Sequence, residues 1–236
     1  MLASIPLTVL KPKVLIARLI PAPHGDLAKA LGHKGGGPVS YGLLSSDREH
    51  SLFVALDEAT KASPVSVIYA RALYAGSVET SGPFSGEAIG ILAGADDEIV
   101  REGLKSAVRT LEESAFWYAT ASASPIPFFP KVISSLGEYL AREAGLPPGE
   151  PMAYLMAPPV ESVVAVDAAL KAAQVRLIKY FGPPTETNRG GAYLTGPLEE
   201  CEAAARAFSE AVVAIAENPV QAMDRVAFAP RTSRKS

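Results

Sequence analysis

The residues able to do chemistry are few and scattered. One thiol, Cys201, and three imidazoles, His24, His33 and His50, make up the whole stock of soft metal ligands and nucleophile-base partners. A cysteine nucleophile needs a neighbouring imidazole to take its proton, and a zinc site needs three or four such ligands in convergent spacing. No two of the histidines stand at i, i+4, all three fall in polar breaks of the first half, and Cys201 lies on an apolar helical stripe, where a thiol behaves as a small hydrophobe. The carboxylates Asp47, Glu49, Asp57, Glu58 and Glu87 form a second set, but acid-base work requires a geometry that no periodicity specifies, and the sequence reads them as solvated or capping groups. The glycine run HKGGGP, residues 33–38, has neither the trailing Lys-Ser/Thr of a phosphate loop nor the spacing of a dinucleotide fingerprint, and reads as a surface loop. The expectation is a chain with no catalytic residue, no metal and no cofactor.

Bulk properties narrow the classes further. With 22 Lys plus Arg against 25 Asp plus Glu, the net charge of −3 gives no reason to expect nucleic acid. The basic tail around Arg231, Arg234 and Lys235 reads as a frayed terminus. No apolar run approaches the 18 or so residues of a membrane span, and Pro6, Lys11, Pro12 and Lys13 interrupt the greasy N-terminus before it resembles a signal peptide, so a cytoplasmic chain without membrane contact is expected. A single cysteine excludes an internal disulfide. The chain is 48% hydrophobic and only 20% charged, with a mean hydropathy of +0.18. That is more apolar surface than two modest cores consume, so part of it should face neighbours.

What positions these residues is an internal repeat. Sliding the chain by 110 residues sets SLFVALDEATKASPVSVI, 51–68, on ESVVAVDAALKAAQVRLI, 161–178, with eight of eighteen positions identical. Upstream, HGDLAKALG at 24–32 faces LGEYLAREAG at 136–145, and SYGLLSS at 40–46 faces MAYLMAP at 152–158. Downstream, EAIGILAG at 87–94 answers GGAYLTG at 190–196, now offset by 102, so the first half carries a longer connection between Ile68 and Gly94. Such self-similarity is the mark of a duplicated unit.

The pattern predicts first-half strands at about 13–20, 39–45, 51–56, 65–72 and 87–93. SLFVAL is read as a strand for its β-branched and aromatic content, followed by about two helical turns in DEATKAS, with Asp57, and Asp167 in the second half, as N-caps. A long amphipathic helix is expected over 96–113, and its counterpart follows Gly196-Pro197. The Ala/Ser/Pro-rich stretch ATASASPIPFFP, 119–130, divides two expected domains, 1–118 and 119–236, although Trp117, Phe128 and Phe129 argue that it packs down. The fold class is α+β, antiparallel sheet packed with helices, used twice. The loops YAGSVETSGPFSGE and FGPPTETNRGGA join equivalent strands and should emerge on one face. Three chains about a threefold axis would place six similar lobes in a ring.

From about Lys11 to Gln221 the chain resembles the bacterial microcompartment shell proteins of the ethanolamine-utilisation type, those with two fused, circularly permuted shell domains. GLLSSD, DEATKASPVSVIYARALYAG, EPMAYLMAPP, PPTETN and AENPVQ carry the likeness. The resemblance implies a pseudohexameric homotrimer in lateral contact with other shell proteins, a place in a polyhedral shell within the cytoplasm, and a gated central pore passing metabolites or cofactors. On this sequence the pore loops would be Tyr74, Ala75, Gly76, Ser77, Val78, Glu79, Thr80, Ser81 and Gly82 in one half and Pro183, Pro184 and Thr185 in the other. The resemblance also implies a small amino-alcohol ligand at Glu49, Glu87, Phe116 and Thr187. Two further readings accompany it: a soluble tandem-domain small-molecule sensor, and a shell protein of a related aldehyde-processing compartment.

Overall fold

The computed structural model describes residues 6–32, 39–73, 87–182 and 189–219. The first half runs β1 (Leu7–Leu10), β2 (Val14–Ile20), α1 (Gly25–Ala30), β3 (Ser40–Ser46), α2 (Glu49–Ala62), β4 (Ser66–Leu73), β5 (Glu87–Gly94) and α3 (Asp97–Glu113). The second repeats that order as β6 (Trp117–Thr120), β7 (Pro127–Ile133), α4 (Glu138–Ala144), β8 (Met152–Ala157), α5 (Pro159–Ala172), β9 (Arg176–Phe181), β10 (Gly190–Thr195) and α6 (Leu198–Glu217).

Each half builds an antiparallel sheet in the same order, β2-β3-β5-β4 and β7-β8-β10-β9. The likeness extends to irregularities. The β4–β5 ladder slips between Val67 and Tyr69, and the β9–β10 ladder between Leu177 and Lys179, so Ile68 and Ile178, one repeat apart, are both bulge residues. One element breaks the symmetry: β1 leaves its own half and pairs antiparallel with β6, extending the second sheet to six strands.

The helices lie where their apolar residues require. α3 opens on Asp96, whose side chain accepts from the Ile99 amide, and buries Val100, Leu104 and Leu111 on one stripe. α6 packs on α5 as α3 packs on α2. The sequence reading of 51–56 as a strand is corrected, because Glu49–Ala62 is one continuous helix. Its apolar content misled because it is covered on two sides, by its own sheet and α3 and by the second half, so Leu52, Val54, Ala55 and Leu56 are all buried. Each such leucine contributes roughly 1.5–3 kcal/mol. Asp57 and Asp167 accordingly lie inside helices and do not N-cap them.

The core is continuous across the halves. One cluster joins Leu44, Leu56 and Leu92 of the first half to Trp117, Phe129, Tyr154 and Tyr193 of the second. A second cluster, around Phe128, Leu155, Leu194 and Phe208, is the second half's own. β8 thus buries alternate residues in different cores and is buried along its whole length, which is why MAYLMA reads as an unbroken apolar run.

Candidate functional site

The seam between the halves gathers a set of buried polar groups from both. α2 supplies Asp57, whose side chain is 1% exposed. Its Oδ2 accepts from the Gly137 amide and its Oδ1 from the Leu140 amide, each at 2.8 Å. A first-half carboxylate thereby caps the second-half helix α4. Burial pushes the Asp57 carboxyl above its ordinary range, against the opposing pull of the two amides and of Lys61, 3.9 Å away. Thr60 Oγ1 accepts from the Glu138 amide, and Lys61 donates to the Ser135 carbonyl. The approach requires a glycine, because a Cβ on Gly137 would lie 2.6 Å from the Asp57 carbonyl oxygen.

Two turns earlier on α2, His50 enters an aromatic box. Its Nδ1 is 2.6 Å from the Tyr154 hydroxyl, its Nε2 2.8 Å from Glu49 Oε1, and its ring stacks on Trp117 with centroids 5.5 Å apart. Trp117 carries the Arg189 guanidinium over its face at 5.0 Å. Tyr154 meets Tyr193 edge-on at 4.6 Å, and Phe181 meets Tyr193 at 4.8 Å. Burial raises the hydroxyl pKa of Tyr139, Tyr154 and Tyr193, so all three remain protonated hydrogen-bonding groups near neutral pH.

Beside this box opens a cleft of about 380 Å³ between β4 and α2 on one side and α4 and β8–β10 on the other. Glu49 and Glu143 line it with Arg71 and Lys179, so charges of both signs face a tyrosine-rich wall. The lining offers hydrogen bonds and counter-charges to a small polar molecule. It offers no activated nucleophile, and among the described residues no three metal-ligating side chains converge. Cys201, fully buried, directs its thiol at the carbonyls of Leu194 and Gly196, and burial raises its pKa.

The residues expected to hold a ligand are placed unequally. Glu49 lines the cleft, already against His50. Phe116 lines a different cleft, of about 270 Å³, and Lys11 Nζ occupies the face of its ring at 5.3 Å. Glu87 opens β5, with its backbone opposite Leu73 and its neighbour Ala88 opposite Ser46, at the end of the sheet from which α2 departs. The Glu87 side chain, Thr187 and the pore-loop residues 74–82 and 183–185 lie outside the described residues. The strands that carry those loops are described: β4–β5 and β9–β10 are equivalent hairpins, with 13 residues between the first pair and eight between the second. The longer first connection inferred from the offsets is therefore found.

Sequence reasoning missed His50, placed there in a polar break and here 4% exposed, and missed Trp117, Tyr154, Tyr193 and Arg189 as one cluster. A signal existed in the repeat: His50 and Phe53 of α2 stand opposite valines, Val160 and Val163, in α5.

No protein-family model matches the chain. Among curated proteins it is 42% identical over 216 residues to the bacterial microcompartment shell protein EutL of Clostridium perfringens, covering 90% of this chain and 97% of that one. Among solved structures it is similar to the ethanolamine utilization protein EutL of Leptotrichia buccalis, with TM-score 0.84 and 43% identity over 92% of this chain and all of that one. A trimeric bacterial microcompartment shell protein, PduB, shares the fold at TM-score 0.73 and 20% identity over 87% of this chain and 90% of its own.

Proposed function

Because the chain belongs to the EutL family of bacterial microcompartment shell proteins, we propose that it is a non-enzymatic, trimeric tile whose central aperture controls the passage of metabolites or cofactors. The observation that carries this reading is the pair of like-ordered sheets in one chain, which lets three copies close into a six-lobed plate. In this reading the gate draws on residues 74–82 and 183–185, which connect the strands of the equivalent hairpins β4–β5 and β9–β10. Plates of this form meet other shell proteins along their edges, inside the cytoplasm, around enzymes that process ethanolamine.

The same reading includes a small amino-alcohol ligand near Glu49, Glu87, Phe116 and Thr187. The mixed charge of the cleft beside Glu49 supports recognition of a small ammonium-bearing alcohol there, with the tyrosine hydroxyls as partners for its oxygen. Phe116 lines a separate cleft with Lys11 over its ring, so within one chain it stands apart from the cleft beside Glu49.

Sedimentation tests the tile. A particle of three times 24.7 kDa is expected, with extended sheets in negative-stain images of concentrated protein. A chain that stays monomeric at all concentrations would overturn the reading.

A further inference from the structure

The charges of the cleft beside the aromatic box are evenly divided. One side, built by β4 and α2, brings Arg71 and Glu49; the other, built by α4 and β9, brings Glu143 and Lys179. Each side therefore offers one cation and one anion, and the four lining charges cancel. β4 and β9 are the outermost strands of their sheets, and Arg71, Glu143 and Lys179 are all exposed.

Opposite charges lining one cleft ordinarily meet. Among the described residues, however, Arg71, Glu143 and Lys179 make no ion pair with one another or with any other group. Lys179 instead lies over the ring of Phe181 at 5.2 Å. Arg142, next to Glu143 in sequence, is committed elsewhere, donating to the Val67 carbonyl at 3.2 Å and lying over the Tyr139 ring. Glu49 is engaged with His50, which leaves Glu143 as the carboxylate for an incoming ammonium. The space between the charges, about 380 Å³, holds a molecule of a few heavy atoms together with bridging water. Tyr154 and Tyr193, hydrogen-bonded to each other, line it as neutral hydroxyl partners.

An ammonium alone would satisfy the acids and leave Arg71 and Lys179 without a counter-charge. An anion alone would do the reverse. We propose that the cleft binds a small zwitterion, an amino alcohol that also carries a carboxylate, with its ammonium at Glu143 and its carboxylate toward Arg71 and Lys179. This rests on the amino-alcohol reading above and narrows its ligand to the hydroxy amino acids. One ammonium and one carboxylate keep the cleft neutral, whereas a phosphate monoester, with a charge of about −1.5 to −2 near neutral pH, would leave it negative.

Isothermal titration calorimetry on the full-length chain in its native assembly tests this, with L-serine, ethanolamine and O-phosphoethanolamine as probes. Each exposed cation adds a factor of no more than about five, so serine should bind about tenfold more tightly than ethanolamine. Arg71→Gln and Lys179→Gln should each weaken serine by about two- to fivefold and leave ethanolamine unchanged, while Glu143→Gln should weaken both. All three changes fall on exposed positions, so each variant should keep its cooperative melt and its wild-type sedimentation. Ethanolamine bound as tightly as serine would overturn the zwitterion and leave the amino-alcohol reading standing. Phosphoethanolamine bound more tightly than serine would overturn the carboxylate. Binding of none of the three would overturn the amino-alcohol reading at this cleft and this inference with it, with the trimer still judged by sedimentation. Should one cation variant lose its melt, the other alone decides.

Discussion

Helices α2 and α5 carry the same phrase one repeat apart, with Asp57 and Asp167, Ala59 and Ala169, Lys61 and Lys171 at matching positions. In α2 the aspartate is 1% exposed and holds another helix by two amides; in α5 it is 60% exposed and holds only the lysine four residues on. The residue, its local spacing and its secondary structure are shared, so the difference comes from what the chain lays on top. Burial at these positions is a property of connectivity. The first half is covered by the second, whereas the equivalent face of the second is bare within the chain.

The comparison breaks most visibly at the aspartates. Asp57→Ala strips two buried amides of their acceptor and should cost about 2–4 kcal/mol in urea denaturation. Asp167→Ala removes one exposed ion pair and should cost the monomeric chain no more than about 0.5 kcal/mol. Equal losses would mean that the seam does not distinguish the two. Next come the glycines. Gly137→Ala would set a Cβ 2.5 Å from Thr60 Oγ1 and 2.6 Å from a backbone oxygen, an overpacking cost of about 1–3 kcal/mol. Gly25→Ala, with open space about it, should change the stability of the monomeric chain by less than about 0.5 kcal/mol. A penalty at position 25 that grows with protein concentration would place that glycine inside a contact between chains.

These contrasts also explain what the sequence reveals and what it hides. The duplication, the hairpins β4–β5 and β9–β10, the long helices α3 and α6 and the burial of Cys201 are all legible, because each rests on local periodicity or on identity between halves. Helix α2 is not. SLFVAL has strand-like content because α2 is buried on two sides, which erases the polar stripe that marks a surface helix. The job of Asp57 is hidden for a related reason: its partners are 80 and 83 residues away, and no capping rule reaches across a seam. The box around His50 joins five separate elements, so its members look like ordinary core residues one by one. The four ligand positions came from the family resemblance and from no pattern in the residues. The cleft brings Glu49 together with partners, Arg71, Glu143 and Lys179, that the resemblance did not supply.

The smallest effect is a slope with pH, and its sign follows from burial. Asp57 is held above its ordinary carboxyl pKa by desolvation, more than its amide partners and Lys61 pull it down. Between the unfolded value and the raised folded one, the native state therefore binds more protons than the unfolded chain, and stability falls as pH rises through that window. Below it both states are protonated, above it neither is, and the contribution is flat. Asp57→Asn removes the titration while keeping an oxygen that can accept from Gly137 or Leu140. The stability of the wild type relative to Asp57→Asn should thus decline from the acid side of the ordinary carboxylate range to a plateau above it, with Asp167→Asn as the exposed reference. A difference that instead rises with pH would mean that the two amides outweigh desolvation. The seam would then be held by a carboxylate stabilised in its charged form, as a fully compensated cap is.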